Sequence, residues 1–213
     1  MQTTTKSIVE NRDCMAAMAE FPDKFFDLAV VDPPYGIDWM EQVKNPNTGK
    51  NWKKYENKEW DKEIPQNQYW NDLFRVAKNQ IVWGGNYMIQ HLAPSSCWLI
   101  WDKMQEFSGA VFEMAWTSFT SPAKAFRMSR VEAYANQNKI HPTQKPVALY
   151  DWIYKNYLPD GGKVLDTHLG SGSNRIAADK AGNIDFWGYE LDKDYYEAQE
   201  KRWKDYKAQI RMF

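Results

Sequence analysis

Short apolar runs separated by polar, helix-periodic stretches dominate this chain. Phe26-Asp27-Leu28-Ala29-Val30-Val31 stays apolar up to Asp32-Pro33-Pro34, which reads as a buried strand whose C-terminal end meets a loop. Cys14–Phe21 ahead of it has helical spacing. A helix follows over Tyr69–Lys78, then a strand over Gln80–Trp83 ending at Gly84-Gly85-Asn86, and strands over Ser96–Trp101 and Phe112–Phe119. The last third predicts a helix over Val147–Tyr157, a strand over Lys163–Asp166, a glycine turn at Gly170-Ser171-Gly172 and a helix to about Ala181. A strand over Asp185–Glu190 and a charged amphipathic helix over Lys193–Gln209 complete it. Strands alternating with helices predict an α/β domain with a mostly parallel sheet and helices on both faces. Ligands of such sheets sit beyond the C-terminal ends of the strands.

Two stretches break the alternation. Residues 37–65 are polar, with Asn, Lys and Trp and little periodicity, and a connector this long in a compact domain is often functional. Residues 121–140 lead into a segment punctuated by Pro142 and Pro146. Charge sharpens both. The net charge of −1 argues against a bulk electrostatic grip on nucleic acid, yet the basic residues are unevenly spread. Between Gln42 and Lys58, Lys44, Lys50, Lys53, Lys54 and Lys58 face only Glu56; between Ser121 and Lys145, Lys124, Arg127, Arg130, Lys139 and Lys145 face only Glu132. Lys50, Lys53, Lys54, Lys124, Arg127 and Arg130 are candidate DNA phosphate contacts, and a solvated face is the plainer alternative. Trp39 and Trp52 in the first stretch are candidates to touch DNA, with ordinary packing the alternative for each.

At 213 residues and 43% hydrophobic, the chain reads as one globular domain over 1–213. It holds no apolar run of about eighteen residues, so no membrane partner is expected, and the polar start lacks a signal-peptide pattern. Two isolated cysteines, Cys14 and Cys97, fit a reducing cytoplasm. His91, His141 and His168 show no metal-ligand spacing, so no metal is expected.

Two constellations carry candidate chemistry. The first is Val164-Leu165-Asp166, then Gly170-Ser171-Gly172, then Glu190 at the end of the next strand. Glycines after a strand let a ligand approach the backbone, and an acid about twenty residues on can accept hydrogen bonds from ribose hydroxyls. This points to a nucleoside-bearing cofactor. A dinucleotide fingerprint would place glycine where Arg175 stands, which weakens a nicotinamide dehydrogenase reading. The second is Asp32-Pro33-Pro34-Tyr35. Prolines fix φ and carry no N–H, so the backbone is stiff and its carbonyls point outward. Asp32 then supplies a carboxylate acceptor, the Pro33 carbonyl a second, and Tyr35 a flat face, which suits a site gripping an amino group.

That tetrapeptide resembles the catalytic motif of S-adenosylmethionine-dependent DNA amino methyltransferases, and its Asp form is similar to the N6-adenine enzymes. His141-Pro142-Thr143-Gln144-Lys145-Pro146 resembles the segment preceding the cofactor motif in the β-class. Asp166–Ser173 resembles the cofactor motif itself, and Asn11-Arg12-Asp13-Cys14 the family's Gly-Asp-Cys. The order, catalytic motif first and cofactor motif last, is the circularly permuted β-class order. The resemblance spans about Asn11 to Glu200 and implies a Rossmann-like methyltransferase fold, methyl transfer to adenine N6 in DNA, and a flipped target base stacked on Tyr35. It implies that Asp32, Asp166, His168, Gly170, Ser171, Gly172 and Ser173 line the cofactor site, with Glu190 on the ribose. It also implies Thr143 and Lys145 near the cofactor's carboxylate and Asp13 near its adenine. Thr167 and His168 depart from the family's usual Pro and Phe. Relatives often pair, so a homodimer is compatible with the resemblance. The competing readings are cytosine N4, adenine in RNA or a glutamine side chain as methyl acceptor, and an inactive DNA-binding module of the same fold.

Overall fold

The apolar run at Phe26–Val31 becomes the second strand in the chain and sits near the middle of an eight-stranded sheet. The structure is a computed structural model that describes residues 5–37, 61–105, 110–135 and 139–210. In chain order the elements are β1 (Ser7–Asn11), α1 (Cys14–Met18), β2 (Phe26–Val31), α2 (Asn67–Val76), β3 (Ala77–Trp83), β4 (Trp98–Asp102), β5 (Phe112–Thr117) and β6 (Lys124–Arg127). Then come α3 (Arg130–Tyr134), α4 (Val147–Tyr157), β7 (Gly162–Asp166), α5 (Ser173–Ala181), β8 (Ile184–Glu190) and α6 (Lys193–Ile210). The sheet order is β1-β8-β7-β2-β3-β5-β4-β6. Among the described strands only β5 runs against the rest, pairing antiparallel with both β3 and β4. The expected α/β architecture is therefore the one found.

The two-residue repeat of β2 explains why both faces are covered. Leu28 and Val30 pack on one face with Leu149 and Ile153 of α4 and Ile176 and Ala177 of α5. Ala29 and Val31 pack on the other with Ala17 and Met18 of α1 and Tyr69, Trp70 and Leu73 of α2. A strand buried on both sides has no polar position to spare, which is why it reads as a continuous apolar run. In α2 the buried positions Tyr69, Trp70, Leu73 and Val76 recur with the helical period.

β2 and β7 are neighbours, with Leu28 opposite Val164 and Ala29 opposite Leu165. From β2 the chain continues to β3 on one side; from β7 it continues to β8 on the other. Adjacent parallel strands whose connections leave to opposite sides open a crevice at their C-terminal ends. Asp32 follows the end of β2, and Asp166 closes β7.

Three differences from the sequence expectations have local causes. β1 lies in a segment read as polar; it is an edge strand held by backbone pairing to β8, Ser7 opposite Phe186 through Asn11 opposite Glu190, so its side chains need not alternate cleanly. The helix expected over Tyr69–Lys78 starts at Asn67 and stops at Val76, because Ala77 already pairs with Phe26 as part of β3. The basic segment contains β6, which pairs with β4, and α3, whose first turn is capped by Ser129 Oγ accepting from the Glu132 N–H at 3.1 Å. No helix among the described residues is long and apolar enough to cross a membrane.

Candidate active site

A cavity of about 720 Å³ opens where the C-terminal ends of β2, β7 and β8 converge. Sites for small ligands typically span ~300–1,000 Å³. Its wall joins the two constellations. Asp32 and Pro34 stand at one part, and Gly170, Ser171, Ser173 and Glu190 at another. Asp13, Thr143, Lys145 and His168 complete the set of expected residues on the wall. Pro33 is buried, Tyr35 lies off the wall, and two further expected residues, Asp166 and Gly172, are also away from it.

Asp166 turns into the protein. It accepts from Asn174 Nδ2 at 2.9 Å and from the His168 N–H at 3.1 Å, and burial pushes its carboxyl up to about 7. It orders the turn rather than lining the cavity, because the end of a doubly covered strand points alternate side chains inward. Gly172 supplies a left-handed residue, φ +71°, directly before α5, and a Cβ there would come within 3.1 Å of Gln199. Arg175, at the place of a third fingerprint glycine, is buried. It donates to Ser7 Oγ at 2.9 Å and Gln199 Oε1 at 3.1 Å and lies over the Trp203 ring at 4.2 Å.

The cofactor side of the cavity is built from backbone donors and buried acids. Glu190 accepts from the Gly170 N–H at 2.8 Å and the Asp192 N–H at 2.9 Å, and burial raises its carboxyl. Asp13 caps α1, accepting from the Met15 N–H at 2.6 Å. The His168 ring meets the Tyr69 ring edge-to-face at 5.5 Å. Burial pushes the His168 imidazole down to about 4, so it is neutral near pH 7 and presents an uncharged flat ring. His141 packs edge-on against Tyr195 at 4.3 Å, and its Nδ1 hydrogen bonds with Thr143 Oγ1 at 3.1 Å. Gln144 Oε1 accepts from the Ile140 N–H at 3.0 Å, and its Nε2 is a buried donor with no partner among the described residues. An unpaired buried donor costs ~1–3 kcal/mol unless something accepts from it. The glycine turn and the Glu190 acid fit a ligand with ribose hydroxyls.

The Asp32 side is a chain of charges. Tyr35 O–H donates to Asp32 Oδ1 at 2.6 Å, and Lys145 Nζ donates to Asp32 Oδ2. Lys145 Nζ also meets Glu113 Oε2 at 3.2 Å, and Glu113 Oε1 meets Lys103 Nζ at 2.7 Å. The Lys145 side chain is 1% exposed. Burial raises the Asp32 carboxyl against the pull of Lys145. Burial also works against the Glu113 charge, but Lys145 and Lys103 outweigh it and hold that carboxyl at about 2. The Lys145 ammonium, disfavoured by burial, is held above an ordinary lysine by Asp32 and Glu113. The Tyr35 ring stacks on Tyr87 at 5.2 Å and 16°, and its N–H donates to Asp61 Oδ1 at 2.7 Å.

Glu113 and Lys103 escaped sequence reasoning. A single acid inside the apolar run Phe112–Thr117 hints at a buried partner, but nothing local says which one. Among the candidate DNA contacts, Lys124 donates to Asn156 Oδ1 at 3.0 Å, Arg127 pairs with Asp102 at 3.4 Å on an exposed edge, and Arg130 opens α3. Trp39, Lys50, Trp52, Lys53 and Lys54 lie outside the described residues.

A family model described as DNA methylase matches residues 94–201, just over half of the chain. YubD of Escherichia coli (strain K12), a protein named as a methylase, is 25% identical over 215 residues, 89% of this chain and 87% of that protein. Two solved structures share the fold. TTHA0409 of Thermus thermophilus, named as a DNA modification methylase, matches with TM-score 0.59 at 15% identity over 93% of this chain and 94% of that one. PvuII DNA methyltransferase, described as cytosine-N4-specific, matches with TM-score 0.61 at 14% identity over 93% of this chain and 87% of that one. A structure of TTHA0409 complexed with S-adenosyl-L-methionine matches with TM-score 0.57.

Proposed function

This chain belongs to the DNA methylase family, enzymes that use S-adenosylmethionine, and from that membership we propose that it methylates the N6 amino group of adenine in DNA, with the target base turned out of the duplex. One observation carries the reading: the largely buried Asp32 carboxylate and the Gly170–Glu190 cradle open onto the same cavity.

S-adenosylmethionine supplies, when bound, an electrophilic methyl group that needs orientation rather than activation. Gly170, Ser171, Ser173 and Glu190 would hold it, with the neutral His168 ring and Asp13 on the nucleoside side. The protein's remaining task is to make a poor nucleophile attack. The adenine amino lone pair is delocalised into the ring. Asp32 and the Pro33 carbonyl, held stiffly by two prolines, accept from the two amino hydrogens and favour a pyramidal nitrogen with a localised lone pair. The amino group must also shed a proton, and the Asp32 carboxylate, lifted by burial, is the acceptor beside it. Neither cysteine enters: Cys97 is buried just ahead of β4, and Cys14 starts α1 with its thiol raised to about 12 by burial.

Expression in a host lacking DNA methylation, followed by long-read sequencing, tests this. Modified adenines that vanish in Asp32→Ala are the expected result. Modified cytosines in their place would move the assignment to N4, and DNA binding with no modification would leave only a binding module.

A further inference from the structure

Asp32, Lys145, Glu113 and Lys103 form a line of two buried cations alternating with two carboxylates, and their charges cancel. The members come from four places in the fold: the end of β2, the segment before α4, strand β5 and the residue after β4. If the only task of Lys145 were to neutralise Asp32, one pair would suffice, and a second buried pair would add desolvation cost for nothing. The second carboxylate has a use because both Asp32 oxygens are already engaged, Oδ1 by the Tyr35 hydroxyl and Oδ2 by the Lys145 ammonium. An incoming amino group must take over part of that capacity, and a buried ammonium can leave Asp32 only if another carboxylate is within reach. Glu113 Oε2 is already 3.2 Å away.

We propose that Glu113 is a positioning residue for amino-group methylation: it gives Lys145 a second seat, so that the ammonium yields Asp32 Oδ2 to the target amino group and rests on Glu113 while Asp32 handles the proton. This rests on the function proposed above. Lys103 keeps Glu113 ionised and in place, and lies over the Trp101 ring at 5.3 Å. The other groups that face this line are the Tyr35 hydroxyl, Tyr150 of α4, Asp166 at the end of β7, the Trp83 ring 5.2 Å from Lys145 Nζ, and Lys139. Desolvation holds the Lys139 ammonium down at about 8, so it adds little positive charge at alkaline pH. The directions already present agree: Glu113 is the stronger acid of the two carboxyls, hence the permanent partner of the lysine, and Asp32 is the more basic, hence the one that exchanges.

The test compares wild type with Glu113→Gln, Glu113→Asp and the charge-balanced double variant Glu113→Gln with Lys103→Gln. Loss of the second seat leaves Lys145 on Asp32 alone. The methylation rate at saturating substrate should fall roughly tenfold to a hundredfold, with the affinity for S-adenosylmethionine in calorimetry unchanged. Both limbs of the pH–rate profile should move to lower pH, because Asp32 loses a like-charged neighbour and Lys145 loses a stabilising one. Glu113→Asp should recover part of the rate. Folded variants with the wild-type rate and profile overturn the proposal. A second measurement needs no turnover: in Asp32→Asn, the Lys145 ¹⁵Nζ signal should stay that of a protonated, immobilised ammonium held by Glu113. A freely titrating lysine signal there overturns the proposal as well. Absence of DNA modification by the wild-type protein would instead count against the function on which it rests, and the lysine signal would still decide the role of Glu113.

Discussion

The Tyr35 ring occupies the space that a side chain on Gly84 would fill: a Cβ built on Gly84 would lie 2.1 Å from Tyr35 Cε1. Gly84 follows β3, has φ +69°, and donates its N–H to the Met114 carbonyl at 2.8 Å, so the turn is pinned while its vacant side holds the tyrosine. The ring in turn stacks on Tyr87 and carries the hydroxyl that donates to Asp32. Gly84→Ala is expected to expel the ring and to add left-handed strain, together about 2 kcal/mol or more. Methyl transfer should fall at least about tenfold through the misplaced Asp32, while the affinity for S-adenosylmethionine stays near wild type. Denaturant unfolding and calorimetry on the same sample check both halves.

Glu190→Gln should weaken S-adenosylmethionine binding by roughly 10- to 100-fold, the worth of hydrogen bonds to a charged acceptor. 5′-Methylthioadenosine, which keeps the ribose and lacks the amino-acid end, should lose affinity by the same factor. A variant that loses affinity only for the full donor would place Glu190 away from the ribose.

Asp166 and His168 make opposite contributions to stability with pH. The Asp166 carboxyl is raised to about 7, so the native state holds a proton that the unfolded chain has lost; that contribution is full below about pH 4 and fades as pH rises to 7. The His168 imidazole is lowered to about 4, so the native state refuses a proton that the unfolded chain takes; that contribution is full above about pH 6.5 and fades as pH falls to 4. Between pH 4 and 6.5 the two slopes oppose each other. Relative to wild type, Asp166→Asn should make stability rise more steeply with pH there, and His168→Phe should make it rise less or fall. Urea unfolding at pH 4.5, 5.5 and 6.5 gives the slopes, and equal slopes in all three proteins would refute the coupling.

Arg175→Gly would restore the glycine of a dinucleotide fingerprint. Binding of a nicotinamide cofactor is not the expected outcome. The substitution removes a buried guanidinium that ties α5 to β1 and α6, and leaves Glu200 without its ion-pair partner. A loss of about 3 kcal/mol is expected in chemical unfolding.

Much of the molecule was legible because it is local. The apolar run of β2 and the glycines after β7 announce themselves within a few residues, since burial on both faces and close backbone approach each restrict residue type directly. The edge strands β1 and β6 were not legible: backbone pairing to β8 and β4 holds them, and their side chains, none of them fully buried, carry no clean alternation. At the site, Asp32, Glu190 and Lys145 stood out through motifs. The inward turn of Asp166 did not, because it depends on Asn174 eight residues on and on packing above the sheet.

The sequence by itself determined the alternation of strand and helix, the proline-stiffened acid and the glycine turn, all features whose physical cause lies within one short segment. Only the tertiary structure decided that Asp32, Lys145, Glu113 and Lys103 share one line of charge. The reason is physical: a buried ion pair is defined by a distance of a few ångströms between side chains from separate segments of the chain, and no local pattern encodes that distance.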